Sequence, residues 1–185
     1  MDRAGSTPAP PLLTVGHGTL PQDELAGLLR EAGVALVVDI RAYPASRRNP
    51  QFARAAMERW LPEHGVAYAW QRALGGRRRP HAASVNTALN DPAFRAYADY
   101  MATADFAGAL DEVLAQATTT PTVVMCAESV WWRCHRRLVA DAVVLLRGRR
   151  VRHLFHDGRL ADHQPMSVAR VVGAHLVYDG VASEA

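Results

Sequence analysis

Two nearly unbroken apolar runs constrain the fold of this chain more than any other feature of its sequence. Residues 34–40 and 121–125 place apolar side chains at successive positions instead of alternating them with polar ones. A strand with this pattern is buried on both faces, which is the usual situation in a parallel sheet. We therefore expect both segments to be inner strands of a mainly parallel sheet.

Helical patterns separate these runs from shorter strand candidates. In residues 21–33, for example, Leu25, Leu28 and Leu29 recur at helical spacing, and Gly33 ends the pattern. The other helical segments are residues 53–64, 94–101, 106–114 and 138–146, and the other strand candidates are residues 12–16, 66–70 and 151–155. This alternation predicts an α/β fold with a central, mainly parallel sheet of about five strands, covered by helices through right-handed crossovers.

The length and composition indicate one domain. A chain of 185 residues, 49% of them hydrophobic, is long enough for one core and short for two. We expect a single domain over residues 12–177, with flexible tails at residues 1–11 and 178–185. The first segment is Pro-rich and polar, unlike a signal peptide, and no run of about 18 apolar residues predicts a membrane span. We expect a cytoplasmic protein whose two cysteines are reduced, and leave the oligomeric state open.

The basic residues are all arginines. The sequence has 21 of them and no lysine, with a formal net charge of +3. A guanidinium group is a planar fork that binds phosphate or carboxylate through two parallel hydrogen bonds and stays charged. The absence of lysine excludes Schiff-base chemistry on a lysine side chain, and the bias favours an anionic ligand.

The loops after the predicted strands hold the candidate ligand-binding residues, because ligands of open α/β sheets bind beyond the carboxyl ends of the strands. In the second loop, Asp39 and Arg41 are two positions apart, so both side chains point to the same side. They form either a structural ion pair or a carboxylate beside an anion-binding group. The candidate ligand-binding residues of the four loops are His17, Arg41, Ser46, Arg47, Gly75, Gly76, Arg77 and Arg136.

The fourth loop carries a candidate nucleophile. Cys126 ends a buried strand, and the chain runs into a helix predicted to begin near Arg133. A thiol near a helix N-terminus and cationic side chains has a lowered pKa, and His135 is a candidate proton partner. Cys126 is also suited to a purely structural place in the core. The other candidate acid/base groups are Asp39 and Glu128.

No metal or cofactor is predicted. Cys126, Glu128, Cys134 and His135 have suitable donor atoms, but their spacing is not that of a known ligand set.

Several of these motifs together resemble the domain of unknown function 488 family, an uncharacterised bacterial family. The matching segments cover most of residues 12–171, and they are Thr14-Val15-Gly16-His17, Asp39-Ile40-Arg41 with Pro44, Ser46, Arg47 and Asn49, Leu74-Gly75-Gly76-Arg77, residues 97–101, Cys126-Ala127-Glu128, Cys134-His135-Arg136 and His163-Gln164-Pro165. The chain departs from the usual pattern at Val130-Trp131-Trp132, where charged residues are more common. The resemblance implies a Rossmann-like three-layer sandwich in the cytoplasm and no established activity.

The residues favour an enzyme that acts on a phosphate-bearing ligand, either a nucleotide or a nucleic acid. In this hypothesis arginines bind the anion, Asp39 or Glu128 serves as the acid/base, and Cys126 is the nucleophile of any covalent step. Two alternatives stay open. One is a non-catalytic nucleic-acid-binding module that stacks bases on its exposed aromatic side chains, with Tyr43, Trp131 and Trp132 as candidates. The other is a thiol- or metal-based sensor built on Cys126 and Cys134.

Overall fold

The structure, a computed structural model, describes residues 9–181 and contains two sheets and five α-helices in that part of the chain. The strands are β1 (Leu12–Gly16), β2 (Leu36–Asp39), β3 (Ala67–Trp70), β4 (Thr122–Cys126), β5 (Val151–Leu154), β6 (Leu160–Asp162), β7 (Ala169–Val172) and β8 (His175–Tyr178). The helices are α1 (Gln22–Glu31), α2 (Arg54–Glu63), α3 (Pro92–Met101), α4 (Ala104–Thr119) and α5 (Arg136–Arg147), with short 3₁₀ turns at Pro50–Phe52, Arg72–Leu74 and Trp131–Arg133.

The main sheet has the strand order β3-β2-β4-β1-β5-β6. Strands β1 to β5 are parallel, and β6 pairs antiparallel with β5 at one edge. The prediction of a mainly parallel sheet with β2 and β4 as inner strands is confirmed. The sequence patterns did not predict β6 or the β7–β8 hairpin. All three strands are short, and β6 and β7 are only partly buried, whereas β8 is mostly buried.

Helices cover both faces of this sheet, which makes the fold a three-layer, Rossmann-like α/β sandwich. The alternation along β4 shows how the two layers form: Val123 and Met125 pack in the cluster that includes α1 and α2. Val124 and Cys126 pack in the cluster on the other face, which includes α3, α4 and α5. Both faces of β4 are therefore buried, as its apolar run predicts.

The C-terminal hairpin extends the domain beyond the expected boundary at residue 177. Strands β7 and β8 pack on α5, and β8 also packs on α3. The Tyr178 side chain is fully buried, and its hydroxyl group donates a 3.1 Å hydrogen bond to Asp141. The predicted tails at residues 1–11 and 178–185 fall mostly on residues 1–8 and 182–185, outside the described residues. No α-helix between residues 9 and 181 is both long enough and apolar enough to cross a membrane.

The helix after β4 begins later than the sequence patterns indicate. The expected start near Arg133 is wrong, because Trp131–Arg133 form a 3₁₀ turn and Cys134 has an extended backbone. Helix α5 begins at Arg136, with His135 as its N-cap. The amide groups of the first turn of α5 therefore face Cys134, which precedes the helix.

The register of the parallel strands brings the site residues to one edge. Gly16 of β1 lies beside Cys126 of β4, and Asp39 of β2 lies beside Met125 of β4. Three adjacent strands thus end at the same level, and the segments that follow them, beginning at His17, Ile40 and Ala127, meet beyond the same edge. This is where α/β sheets bind ligands.

Gly16 is required for this convergence. A Cβ atom at Gly16 would lie 1.8 Å from the carbonyl oxygen of Glu128 and 2.8 Å from a guanidinium nitrogen of Arg136. Backbone oxygen cannot move aside as the end of a flexible side chain can. A side chain at this position would therefore separate the end of β1 from the loop after β4.

We predict that Gly16→Ala lowers the free energy of unfolding by about 1–3 kcal/mol. This is the usual cost of forcing extra volume into a packed interior. The matched control is Gly108→Ala on α4, where an added Cβ meets no atom within 4 Å. In a helix this control should stabilise the fold by roughly 0.4–1 kcal/mol. Urea unfolding curves compare the two variants. A Gly16→Ala variant as stable as the parent chain would contradict the close contact.

Candidate functional site

A cavity of about 740 Å³ opens at the carboxyl edge of the sheet. It is lined by several of the predicted site residues and by aromatic and small side chains: Arg41, Ala42, Tyr43, Ala45, Gly76, Arg77, Ala93, Phe94, Cys126, Ala127, Glu128, Arg133, Cys134 and His135. Its volume is within the range of small-molecule sites in proteins. We call it the arginine cavity, after Arg41, Arg77 and Arg133.

A second cavity of about 500 Å³ lies next to the first and shares five lining residues with it, which are Arg41, Tyr43, Ala45, Ala127 and Glu128. Its own lining includes His17 and Ser46. Most of the residues that the sequence singles out for a site are therefore close together. Four of the predicted residues line neither cavity: Asp39, Gly75 and Arg136 are buried behind the surface, and Arg47 is exposed.

Asp39 and Arg41 form a buried ion pair behind the cavity wall. The Arg41 guanidinium group donates to the Asp39 carboxylate through Nε at 2.9 Å and through Nη2 at 2.5 Å. The same carboxylate accepts a hydrogen bond from the Tyr68 hydroxyl at 2.7 Å. Asp39 is fully buried and lines neither cavity. This geometry does not favour the predicted acid/base role of Asp39. Its carboxylate oxygens already accept hydrogen bonds from Arg41 and Tyr68, and they position these two side chains.

His17 holds the other end of the Arg41 guanidinium group. Nη1 of Arg41 donates to Nε2 of His17 at 3.1 Å, so Nδ1 carries the imidazole proton and donates to the carbonyl oxygen of Gly18 at 2.9 Å. Burial, reinforced by the charge of Arg41, lowers the pKa of His17 to about 4. His17 is thus a neutral acceptor that positions Arg41.

The two cysteines lie in contact at the floor of the arginine cavity. Their Sγ atoms are 2.8 Å apart, and both side chains are largely buried. Cys126 is the last residue of β4, and Cys134 is the second residue before α5. The backbone N–H of Arg136, the first residue of α5, points to Cys134 Sγ at 3.5 Å.

His135 is oriented to accept a proton from Cys134. Its Nε2 lies 3.1 Å from the carbonyl oxygen of Ile40 and its Nδ1 lies 3.4 Å from Cys134 Sγ. A carbonyl oxygen can only accept, so Nε2 carries the proton and Nδ1 presents its lone pair to the thiol. Gly76 allows this arrangement, since a Cβ atom there would lie 2.6 Å from Nδ1.

The environment shifts the pKa values of the two thiols in opposite directions. Burial on its own raises the pKa of Cys134. The hydrogen bond from Cys126, the hydrogen bond and charge of His135 once it has taken the thiol proton, and the charge of Arg136 outweigh this effect. Together they hold the pKa of Cys134 well below its usual value. Burial and the adjacent sulfur of Cys134 raise the pKa of Cys126. The geometry therefore favours Cys134 as the thiolate, where the sequence motif favoured Cys126.

Arg136 supplies a buried positive charge next to the thiols. Its guanidinium group donates to the carbonyl oxygens of Glu128 at 2.5 Å and Ser129 at 3.4 Å, and to Thr14 Oγ1 at 3.4 Å. Among the described residues no carboxylate pairs with it, and its Nε has no hydrogen-bond partner. A buried guanidinium group without a carboxylate stabilises any anion that forms nearby.

A buried chain of hydrogen bonds continues from Thr14 into the core. Thr14 Oγ1 lies 2.7 Å from His153 Nδ1, His153 Nε2 lies 2.9 Å from His163 Nδ1, and His163 Nε2 lies 2.7 Å from Asp141 Oδ1. The Asp141 carboxylate can only accept, so Nε2 of His163 donates to it. Burial and the charges of His163 and Arg136 lower the pKa of His153 to about 3.

The sequence analysis did not identify this chain, although one signal was available. Asp141 stands on the apolar side of the segment predicted as a helix over residues 138–146, where an unpaired carboxylate is costly. His153 occupies a comparable place in β5. Trp131 stacks on His153, with ring centroids 3.9 Å apart, and so covers the core, whereas Trp132 is exposed.

The remaining predicted residues have mainly structural contacts. Ser46 Oγ accepts a hydrogen bond from the backbone N–H of Asn49 at 2.9 Å, which closes a turn. Gly75 packs on Ala42, where a Cβ atom would lie 2.7 Å from the Ala42 Cα. The exposed Glu128 side chain accepts from the Val130 N–H at 3.2 Å. Within the described residues no cluster of three or more histidine, cysteine or acidic side chains is arranged to hold a metal ion.

Comparison with known proteins identifies the family. A family model described as "Domain of unknown function DUF488" matches residues 21–143, about two thirds of the chain, so the chain belongs to this family. The match includes the buried ion pair, the two thiols, His135 and Arg136, and it ends before His153 and His163. No curated protein and no solved structure matches the chain.

We predict that the fold loses stability as the pH falls below about 6.5, the usual pKa of histidine. In the unfolded chain His17 and His153 take up protons there, whereas in the fold their pKa values are about 4 and about 3. The unfolded state therefore binds more protons, and each histidine contributes a loss of up to about 1.4 kcal/mol per pH unit between these values.

Urea unfolding between about pH 7 and pH 5 measures this loss. A His153→Gln variant lacks one titrating imidazole, so its stability should depend less steeply on pH than that of the parent chain. Stability that is unchanged, or that rises, as the pH falls through this range would show that the imidazoles are not held neutral.

Proposed function

We propose that this protein is a thiol-dependent enzyme that acts on an anionic, phosphate-bearing ligand in the arginine cavity, with Cys134 as the attacking thiolate. The observation that carries the proposal is the contact between Cys134 Sγ and Nδ1 of His135, at 3.4 Å, in a cavity lined by arginines. A nucleophile beside an oriented base is the general arrangement of covalent catalysis.

Each group at the site has a role in this proposal. His135 takes the proton of Cys134, because its Nε2–H is held by the carbonyl oxygen of Ile40. The positive charge of Arg136 and the first turn of α5 stabilise the thiolate. Cys126 keeps its proton and donates to the Cys134 sulfur, a charge-assisted hydrogen bond.

The free cations of the cavity favour a phosphate-bearing ligand. Arg77 and Arg133 line the cavity, their side chains are exposed, and neither is in an ion pair within residues 9–181. Arg41 adds its guanidinium group from the wall. Tyr43, a residue that is 66% exposed, provides an aromatic ring on which a base can stack. A nucleotide has both features, a phosphate group and a base.

A second candidate function, a binding module without catalysis, explains the arginines of the site but not its thiols. Exposed arginines and Tyr43 would be enough for it, and no contact between a thiol and an imidazole would be needed. Trp132, which precedes the cavity residue Arg133 in the sequence, is 47% exposed. This second function is favoured only if ligand binding proves independent of the thiols.

We predict that iodoacetamide at neutral pH modifies Cys134 about tenfold faster than an ordinary thiol, which is only a few per cent ionised at that pH. Cys134→Ser should abolish the fast reaction, and Cys126→Ser should retain part of it. His135→Gln keeps a donor for the Ile40 carbonyl and removes the base, so it should slow the reaction. Mass spectrometry locates the label, and fast labelling of Cys126 in place of Cys134 would contradict the assignment.

The same reaction tests the ligand. ADP in the cavity should protect Cys134, and protection should weaken as the salt concentration rises. Arg77→Gln and Arg133→Gln should each reduce the apparent affinity for ADP by roughly 1.5–3 kcal/mol, the usual contribution of a hydrogen bond to a charged group. Arg79→Gln is the matched control, because Arg79 is exposed and lies outside the cavity lining. Equal protection in all three variants would exclude the arginine cavity as the anion site.

A further inference from the structure

Cys126 is in direct contact with the attacking thiolate. Its Sγ is in contact with Cys134 Sγ at 2.8 Å, and both residues line the arginine cavity. Cys126 lies at the end of β4 and Cys134 directly before α5, so two regular elements hold the two sulfurs together. Burial keeps Cys126 protonated at neutral pH by raising its pKa.

Among the described residues, neither carboxylate near the site is placed to release an acyl or phosphoryl adduct from Cys134, which leaves His135 as the base beside the sulfur. Such an adduct leaves when a base activates water. The Asp39 carboxylate is enclosed by Arg41 and Tyr68, and the exposed Glu128 carboxylate is bonded to the backbone of its own loop. An adduct joined through sulfur is released differently, by attack of a second thiol on the Cys134 sulfur. Cys126 is in contact with that sulfur.

We propose that the ligand of the arginine cavity is a low-molecular-weight disulfide that carries phosphate groups, and that Cys134 and Cys126 reduce it. This inference rests on the proposed function, since it uses the same thiolate and the same anion site. It adds the class of electrophile, a sulfur–sulfur bond, and a role for Cys126 as the resolving thiol.

The reaction has two steps. The Cys134 thiolate attacks one sulfur of the substrate, the substrate sulfur–sulfur bond breaks, and one substrate thiolate leaves while the other half stays bound to Cys134. Cys126 then attacks Cys134 Sγ, and its proton passes to the substrate thiolate. The second half leaves as a thiolate, and the protein holds a Cys126–Cys134 disulfide. Two electrons have moved from the two cysteines to the substrate, so each reduced chain converts one substrate molecule.

The arginines select among disulfides by charge. Arg77 and Arg133 attract a substrate that carries phosphate and repel one that carries ammonium groups. Tyr43 provides a stacking surface where the phosphate belongs to a nucleotide, and the exposed rim of the cavity leaves room for the rest of the molecule.

Coenzyme A disulfide is a suitable probe, because it joins phosphate groups, a nucleotide and a disulfide. The full chain is reduced, freed of reductant, mixed with the probe at neutral pH and quenched in acid. The parent chain should release two molecules of coenzyme A thiol and lose both free cysteines to an internal disulfide. Cys126→Ser should release one and keep the other half bound to Cys134. Cys134→Ser should react only slowly.

Cystamine, a disulfide with two ammonium groups, is the charge control. Each rate is divided by the rate of the same disulfide with free N-acetylcysteine, which removes differences in intrinsic reactivity. Coenzyme A disulfide should then react at least about tenfold faster than cystamine, as expected for electrostatic attraction to a charged cleft. Arg77→Gln and Arg133→Gln should reduce this ratio, and Arg79→Gln should leave it unchanged.

Three results would overturn the inference. The first is a mixed disulfide that persists in the parent chain, because Cys126 would then not resolve it. The second is equal normalised rates for both probes, and the third is the absence of reaction although iodoacetamide modifies Cys134 rapidly. In the third case the thiolate proposal stands and only the disulfide substrate fails. Slow alkylation of Cys134 in the absence of any ligand would instead reject both.

Discussion

A buried guanidinium group cannot lose its proton, and this constraint organises the carboxyl edge of the sheet. The fold buries two such groups there, those of Arg41 and Arg136, and their positive charges are compensated differently. Arg41 is paired with the carboxylate of Asp39 and held by His17, so its charge is largely neutralised. Arg136 has only carbonyl and hydroxyl acceptors among the described residues. The second charge is therefore available to an anion, and Cys134 lies beside it.

The surrounding structure keeps Arg136 in this position. Gly16 lets the end of β1 approach the carbonyl oxygen of Glu128, which accepts a hydrogen bond from the guanidinium group. Thr14, in the same strand, begins the buried chain through His153 and His163 to the Asp141 carboxylate. Thr14 Oγ1 also accepts a hydrogen bond from the Arg136 guanidinium group. The chain thus connects Arg136, through Thr14 and two imidazoles, to the Asp141 carboxylate in the core.

The sequence was sufficient to predict the mainly parallel sheet, and it placed the candidate residues in loops that follow its strands. The apolar runs of β2 and β4 indicate strands buried on both faces, and the loops that follow parallel strands meet at one edge regardless of strand order. The family resemblance found in these loops is confirmed over residues 21–143. The buried ion pair of Asp39 and Arg41 was one of two interpretations that their spacing left open, and its geometry favours a positioning role.

The choice between the two cysteines was not predictable from spacing. It depends on a 3₁₀ turn at Trp131–Arg133 that delays the start of α5 and leaves Cys134 extended, in reach of His135. It also depends on a hydrogen bond from His135 to the carbonyl oxygen of Ile40, which fixes the imidazole tautomer. These two residues are 95 positions apart in the sequence. Local patterns do not encode such contacts. Asp141 is the one missed residue with a local signal, since it interrupts the apolar side of a helix.

The central claim is that Cys134 exists as a thiolate at neutral pH, and a direct titration measures this. The chain is labelled with ¹³C at the cysteine β-carbons, and the chemical shifts are followed against pH, with Cys134→Ser and Cys126→Ser used for assignment. The account predicts that the Cys134 signal reports a thiolate throughout the neutral range, with a midpoint well below the usual value of about 8.5. It also predicts that the Cys126 signal reports a protonated thiol there. A Cys134 midpoint at or above the usual value would contradict the account.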